Sequence, residues 1–335
     1  MHSYPSKIRV GVAGATGFAG QELVAILARH PYVELVAGMS SSADSAARPL
    51  PRLNRVWHGQ LEPLDLNKLS TLTDVTFLAL PEKAAAEVAP PLVAAGVKVI
   101  DLSGAFRIRD NGDRAKWYPA TASLPAGTAY GLVEYFANDI KTAALVACPG
   151  CYPTAALLSL MPLVKAGLVN TDAGLVIDAK SGISGAGRAA TDRTHFSENH
   201  GSVAAYGVLG HRHVAEMQQE LGAEVTFVPH LVPLDRGILE TIYVKTKAGV
   251  TAAAIASAMQ AAYADAPFVR LTGDALPEIK HVAYTNFCDI GWKYDAATSR
   301  LVLVSVIDNL VKGAAGQGVQ VFNVMHGFDQ TTALL

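Results

Sequence analysis

The sequence predicts an α/β chain in two parts: a parallel sheet built from βαβ units, then an α+β part with a mixed or antiparallel sheet. Three observations carry that prediction. The first half alternates short apolar runs with helix-spaced segments, as βαβ crossovers do. The second half holds longer strand-like runs, two of them flanking a turn-like DAATS at 295–299. At 335 residues the chain exceeds what one hydrophobic core usually holds, so two domains are expected.

The elements follow in order. Ile8–Ala13 is a short apolar run of strand type, and residues 21–29 space their apolar side chains for a helix. Val33–Met39 and residues 75–80 read as the second and third strands. Residues 84–95 form an alanine-rich helix and 97–102 a fourth strand. In the second half, 152–167 reads as a helix and 175–180 as a strand running into a Gly/Ser loop. Residues 225–228, Ile238–Lys245, 289–294 and Arg300–Ile307 read as strands, and 251–264 as a helix. Near the C-terminus Leu310, Ala314, Gly318 and Phe322 share one helical face, with Val311, Ala315 and Val319 beside it. Asp308 or Asn309 stands in position to cap that helix.

Composition narrows the function classes. Half the residues are hydrophobic, 17% are charged, and the net charge is −2. No basic stripe suits nucleic acid, so an anionic ligand must be met by a local cluster of cations. The N-terminus runs straight into a strand without the apolar core of a signal peptide, and no membrane span is evident. Three cysteines make no disulfide framework. The expectation is a cytoplasmic protein with reduced thiols.

After the first strand comes GVAGATGFAGQEL, residues 11–23. This GxGxxG variant sits between a strand and a helix. There Gly14, Ala15, Thr16 and Gly17 bring backbone amides against a pyrophosphate, the Rossmann-type arrangement. An NAD site usually has Asp or Glu at the end of the second strand for the ribose. Here that strand ends in Ser40, Ser41 and Ser42, with Arg48 and Arg52 nearby, a set that suits a 2′-phosphate. NADP is the expected cofactor.

Cys148 and Cys151, in ACPGCYPT, allow three readings. A redox dithiol has the wrong fold context, behind a dinucleotide unit. A metal centre needs further ligands, but Cys288 lies alone and there is no second CxxC. The third reading is a single working thiolate. Pro153 suits the first helical position, which puts Cys151 just before the helix, where the dipole stabilises a thiolate. Cys148 and Cys288 read as small buried side chains. A nucleophilic thiolate beside a nicotinamide points to interconversion of an aldehyde and an acyl derivative, with a proton shuttle.

These motifs carry a resemblance. GATGFAG, LALP (78–81), DLSGAFR (101–107), YGLVE (130–134), PGCYPT (149–154), SGISGAGR (181–188), GHRHVAEM (210–217), FVPHLVPLDRGI (227–238) and DNLVKGAAGQGVQ (308–320) occur in this order. Over residues 8–327 the chain resembles the N-acetyl-gamma-glutamyl-phosphate reductases of arginine biosynthesis, with Cys148 where Asn is often found. The resemblance implies an NADP-binding domain of residues 1–150 and 310–335, and a catalytic and dimerisation domain of residues 151–309. It implies Cys151 as nucleophile, a thioester intermediate, a small acyl phosphate substrate and a homo-oligomer, dimer or tetramer. It also implies that the helix at 310–327 returns to the first domain. It favours His211 and His213 over His195, His200 and His230 as the acid–base group.

Their i, i+2 spacing puts the two histidines on different faces of a helix, so one is expected to face the thiolate, His211 first. Arg107, at a strand's C-terminal end, has a donor fork suited to phosphate or carboxylate. Lys180, Arg188, Arg212 and Arg236 are further candidates for anion contacts. The glycine-rich loop beginning Ser181, Gly182, together with Asn309, Gly313 and Gly316, is expected to approach the cofactor backbone-first. The rival readings are an aspartate-semialdehyde dehydrogenase, a dinucleotide-binding regulator without turnover, and a disulfide oxidoreductase.

Overall fold

The computed structural model describes residues 7–41 and 50–335. The chain divides into two units, Met1–Pro149 with Ala314–Leu335, and Gly150–Gly313.

The first unit is built on β1 (Ile8–Ala13), α1 (Phe18–Ala28), β2 (Val33–Met39), β3 (Leu61–Glu62), α2 (Leu66–Leu72), β4 (Val75–Leu78), α3 (Glu82–Ala94), β5 (Lys98–Asp101), α4 (Asn111–Trp117), β6 (Thr128–Tyr130), α5 (Val133–Thr142) and β7 (Leu145–Ala147). Its seven strands lie in the order β3-β2-β1-β4-β5-β7-β6, each pair parallel. Val10, Val12, Val75, Phe77, Ile100 and Val146 are fully buried. Burial on both faces is why these strands read as continuous apolar runs rather than alternating ones. The strand order reverses between β1 and β4, and a crevice at such a switch point is where ligands bind in doubly wound sheets. Strands β3, β6 and β7 span two or three residues each, too short to show a period.

The second unit runs α6 (Cys151–Lys165), β8 (Leu175–Gly182), α7 (Phe196–Asn199), β9 (Ala204–Ala205), α8 (His213–Leu221), β10 (Val225–Val232), β11 (Ile238–Lys245), α9 (Ala252–Tyr263), β12 (Val269–Gly273), β13 (Cys288–Asp295) and β14 (Arg300–Ile307). The sheet order is β12-β13-β14-β11-β8-β10-β9. It is mixed: β8 and β10 are parallel, as are β12 and β13, while the remaining pairs are antiparallel. Strand β8 alternates, with Leu175, Ile177, Ala179 and Ser181 buried on one face and Val176, Asp178 and Lys180 on the other. The sheet packs on α6 through β11, β13 and β14, and Ser305 Oγ in β14 donates to the Ala155 carbonyl at 3.2 Å.

The last helix, α10 (Gly316–Met325), starts later than the expected 310–327. A single π turn, Val311–Ala315, precedes it. Asp308, not Asn309, caps this segment: its Oδ1 accepts from the amides of Leu310 at 2.8 Å and Val311 at 3.1 Å. Within the first unit α10 packs on α1 and α5, and Gln317 donates to the Gly131 carbonyl at 2.6 Å. None of the described helices is long and apolar enough to cross a membrane.

Candidate active site

In the first unit the glycine turn is a cradle that side chains cannot enter. Gly14 has φ +87°, and a Cβ there would lie 2.2 Å from the Ala79 carbonyl oxygen. A Cβ on Gly20 would lie 2.2 Å from the Gly14 oxygen. Ala15 is buried, and the amides of Gly14 and Ala15 donate to the Met39 carbonyl at the end of β2. Gly17 caps α1 with no side-chain acceptor, and the first-turn amides have no partners within a helix. With the Gly14 and Ala15 amides engaged by Met39 and the Gly17 amide by the Gly14 carbonyl, the turn offers a pyrophosphate the space its glycines keep clear together with the first-turn amides and dipole of α1. Ser40 is buried at the end of β2 and Ser41 is exposed, while Ser42 and Arg48 lie outside the described residues. Arg52 does not stand open for a phosphate, because its guanidinium pairs with Glu22 at 2.6 Å.

Two other expected groups of this unit are enclosed. Arg107 is buried and donates to the carbonyls of Cys148 at 2.7 Å and Leu102 at 2.8 Å. It ties strand ends together rather than presenting an open fork. Cys148 is fully enclosed, and burial pushes its thiol far above the usual range, which leaves it an apolar filler.

The second unit assembles its site around the start of α6. Gly150 caps the helix in an extended conformation, and its amide donates to Glu216 Oε1 at 2.8 Å. Cys151 is the first residue of the helix and is half-buried, with Pro153 two residues further in rather than first. Cys288 is sealed in β13, its sulfur 3.5 Å from Ser305 Oγ.

The Tyr152 ring gathers the histidines, with centroids 5.9 Å from His211 and 6.0 Å from His213. Those two imidazoles lie 4.7 Å apart. The two rings come together because α8 begins only at His213; His211 precedes the helix and folds back, so the two are not spaced by a common helix. The His213 amide donates to His211 Nδ1 at 3.2 Å, which assigns the His211 proton to Nε2. Burial, aided by the Arg212 charge, lowers the His211 pKa to about 4. His211 is therefore a neutral imidazole with an Nε2–H donor at neutral pH.

Tyr152 and Tyr206 share a hydroxyl–hydroxyl hydrogen bond of 3.1 Å, and burial raises both phenols, Tyr206 to about 12. Glu216 is fully buried, one turn beyond His213 on the same face of α8. Motif reading passes over Tyr152, Tyr206 and Glu216. The available signals are adjacency to the cysteine for Tyr152 and the i, i+3 spacing from His213 for Glu216.

The remaining candidates divide by position. Arg212 is exposed and sits at the cap of α8, where its charge acts on both His211 and Tyr206. Arg188 is exposed on the loop after β8. Lys180 is a correction: strand alternation turns it to the sheet face opposite α6, where its Nζ pairs with Asp178 at 2.7 Å. Ser181 is buried and donates to the Gly182 carbonyl, and Gly182 lies against the Arg236 backbone. Arg236 is buried and pairs with Asp308 at 3.2 Å. Asn309 is held at both ends of its amide, accepting from the Gly237 N–H at 2.6 Å and donating to Ser184 Oγ at 3.0 Å.

Comparison with known proteins places this geometry. Residues 9–143 match the family model described as semialdehyde dehydrogenase, NAD binding domain, and residues 151–309 match the one described as semialdehyde dehydrogenase, dimerisation domain. Among solved structures, aspartate semialdehyde dehydrogenase II of Vibrio cholerae has a TM-score of 0.74 at 18% identity, covering 96% of this chain and 99% of that one. A probable aspartate-semialdehyde dehydrogenase of Pseudomonas aeruginosa has a TM-score of 0.71 at 20% identity, with the same coverage. These likenesses establish the fold. The chain is 46% identical to N-acetyl-gamma-glutamyl-phosphate reductase of Shouchella clausii and 44% identical to that of Brevibacillus brevis, covering 98% of each chain in both cases. Identity at that level along the full length of both relatives shows that the chain belongs to the N-acetyl-gamma-glutamyl-phosphate reductase family, oxidoreductases with an NAD(P)-binding domain.

Proposed function

We propose that the chain reduces N-acetyl-gamma-glutamyl phosphate to N-acetylglutamate semialdehyde and phosphate, with NADPH as reductant and Cys151 as nucleophile. The observation that carries the reading is Cys151 at the mouth of α6, half-buried, with the His211–His213 pair gathered on the adjacent Tyr152. The helix N-terminus favours the thiolate, which attacks the acyl carbon and expels phosphate to form a thioester. Arg212 and Arg188 are the proposed contacts for the anionic groups of the substrate. When bound, the nicotinamide would supply the hydride to the thioester carbon. Collapse of the resulting thiohemiacetal oxyanion breaks the C–S bond, releasing the semialdehyde and restoring the Cys151 thiolate.

His211 acts in this scheme as a neutral Nε2–H donor to the developing oxyanion, since its low pKa keeps it from carrying a proton at pH 7. His213 stands next to it as the alternative proton carrier. Gly14, Ala15, Thr16 and Gly17 are the proposed pyrophosphate contacts, and Ser40, Ser41 and Ser42 the proposed contacts for the 2′-phosphate. Ser181, Gly182 and Asn309 are further proposed cofactor contacts. The family description of residues 151–309 as a dimerisation domain supports a homo-oligomer.

The test is phosphate-dependent reduction of NADP by N-acetylglutamate semialdehyde, run on the wild type and on Cys151→Ser. Turnover by the wild type alone is expected. Equal turnover by Cys151→Ser, a preference for aspartate semialdehyde, or a preference for NAD each removes the corresponding part of the reading.

A further inference from the structure

We propose that Gly313 is a positioning residue for Cys151: its bare backbone is a wall against the nucleophile's Cβ, and a side chain there would displace the sulfur. This rests on Cys151 being the nucleophile. A Cβ on Gly313 would lie 2.7 Å from Cys151 Cβ, 3.2 Å from Cys151 Cα and 3.3 Å from Ile307 Cδ1. The first two atoms belong to the start of α6, so no side-chain rotation moves them aside. Gly313 is not among the residues with positive φ, so glycine is required here for space and not for conformation.

The wall is built and anchored. Gly313 lies in the π turn Val311–Ala315, and its amide donates to the Asp308 carbonyl five residues back at 2.9 Å. Single π turns recur at functional sites because they place one backbone segment out of helical step. The Asp308 carboxylate is fully buried and accepts four hydrogen bonds, from Arg236 at 3.2 Å and from the amides of Tyr284 at 2.6 Å, Leu310 at 2.8 Å and Val311 at 3.1 Å. Lys312, next to Gly313, is fully buried with its Nζ 5.7 Å from the Phe268 ring centre. The turn has little room to retreat. A Cβ forced against Cys151 Cβ therefore shifts the start of α6 and carries the sulfur with it.

The test is a cycle of Gly313→Ala and Cys151→Gly, with Gly318→Ala as a control because its added Cβ meets only ordinary contacts of 3.4 Å and beyond. Iodoacetamide alkylation of Cys151 against pH, thermal midpoints, and kcat and KM are measured. Gly313→Ala should slow alkylation about tenfold and lower kcat by up to about 10²-fold with KM little changed, the size of effect expected from a displacement near 1 Å. It should also lower the thermal midpoint, and in the Cys151→Gly background, where the 2.7 Å contact is gone and only those of 3.2 and 3.3 Å remain, the same change should lower it clearly less. Gly318→Ala should match the wild type. If Gly313→Ala does not fold but the double variant does, the contact is upheld. Unchanged alkylation and kcat, an equal midpoint loss in both backgrounds, or a double variant that also fails to fold would overturn the proposal. The alkylation and midpoint readings need no substrate, so they stand even if the proposed reaction is wrong.

Discussion

Two helices of this molecule begin in nearly the same way and are used differently. Gly17 caps α1 at φ −68°, ψ 168°, and Gly150 caps α6 at φ −64°, ψ 155°, neither helix having a side-chain cap. Both therefore leave first-turn amides for something other than a serine or aspartate. At α1 the crowding is backbone on backbone, with Gly14 against Ala79 and Gly20 against Gly14, and no side chain fits. At α6 a side chain is the point of the turn. Cys151 occupies the first helical position, the Gly150 amide is already taken by Glu216, Gly313 lies against Cys151, and the neighbouring Tyr152 ring meets His211. One turn is closed by backbone, from within itself and from Met39 and Ala79 on neighbouring strand ends. The other orients a sulfur through residues drawn from far along the chain.

Substitutions separate the two turns, with expected effects that run from large to small. Cys151→Ser should cost at least about 10³-fold in kcat while dinucleotide binding, followed by fluorescence titration, is unchanged. Comparable kcat would mean that the α6 turn is not catalytic. Gly14→Ala should do the reverse, because a left-handed residue is strained and its Cβ meets the Ala79 oxygen. Dinucleotide affinity should fall sharply and stability by about 1–3 kcal/mol in denaturant unfolding. Wild-type affinity would show that the cradle is only a tight turn.

Two buried glutamates give the next contrast. Glu216→Ala should cost about 1–3 kcal/mol by leaving the Gly150 amide without its acceptor, whereas Glu216→Gln should recover most of that. Glu240, fully buried opposite Ser305 on the neighbouring strand, has no hydrogen-bond partner on either carboxyl oxygen. Burial raises its pKa well above 4.5. A raised carboxyl binds its proton more tightly in the folded state. Its contribution is therefore most favourable below the unfolded value and is lost as pH rises toward the folded one. Glu240→Leu should lift the thermal midpoint more at pH 8 than at pH 5, and equal shifts at both would sink this account.

The smallest effect concerns His211, whose depressed pKa works with the opposite sign. The stability it contributes is present above about pH 6.5, the unfolded value, and is lost as pH falls through about 4. Imidazole resonances of His211 followed by NMR should show no titration between pH 6 and 8. A midpoint near 6.5 would make it a conventional proton carrier instead of a neutral donor.

Much of the fold is legible in the chain because its strands announce themselves, as continuous apolar runs in the first unit and longer apolar or alternating runs in the second. Ile8–Ala13, Val33–Met39, Ile238–Lys245 and Arg300–Ile307 appear where the apolar pattern places them. The π turn before α10 is not legible, since it departs from helical step without a change in residue type. Lys180 and Arg107 show the limit for sites. A cation's type says that it suits an anion, but strand alternation directs Lys180 onto Asp178, and two backbone carbonyls accept from Arg107.

The residues alone place the two glycine-led turns, the cysteine at the helix mouth and the strands that lead to them, because glycine spacing and apolar runs are local signals, although Met39 and Ala79 complete the first turn in space. Only packing makes His211 neutral and sets where its proton sits, pairs the cations, and brings Gly313 against Cys151. Those properties depend on burial and on contacts between segments up to 162 positions apart, counting 313 − 151, which no local pattern encodes.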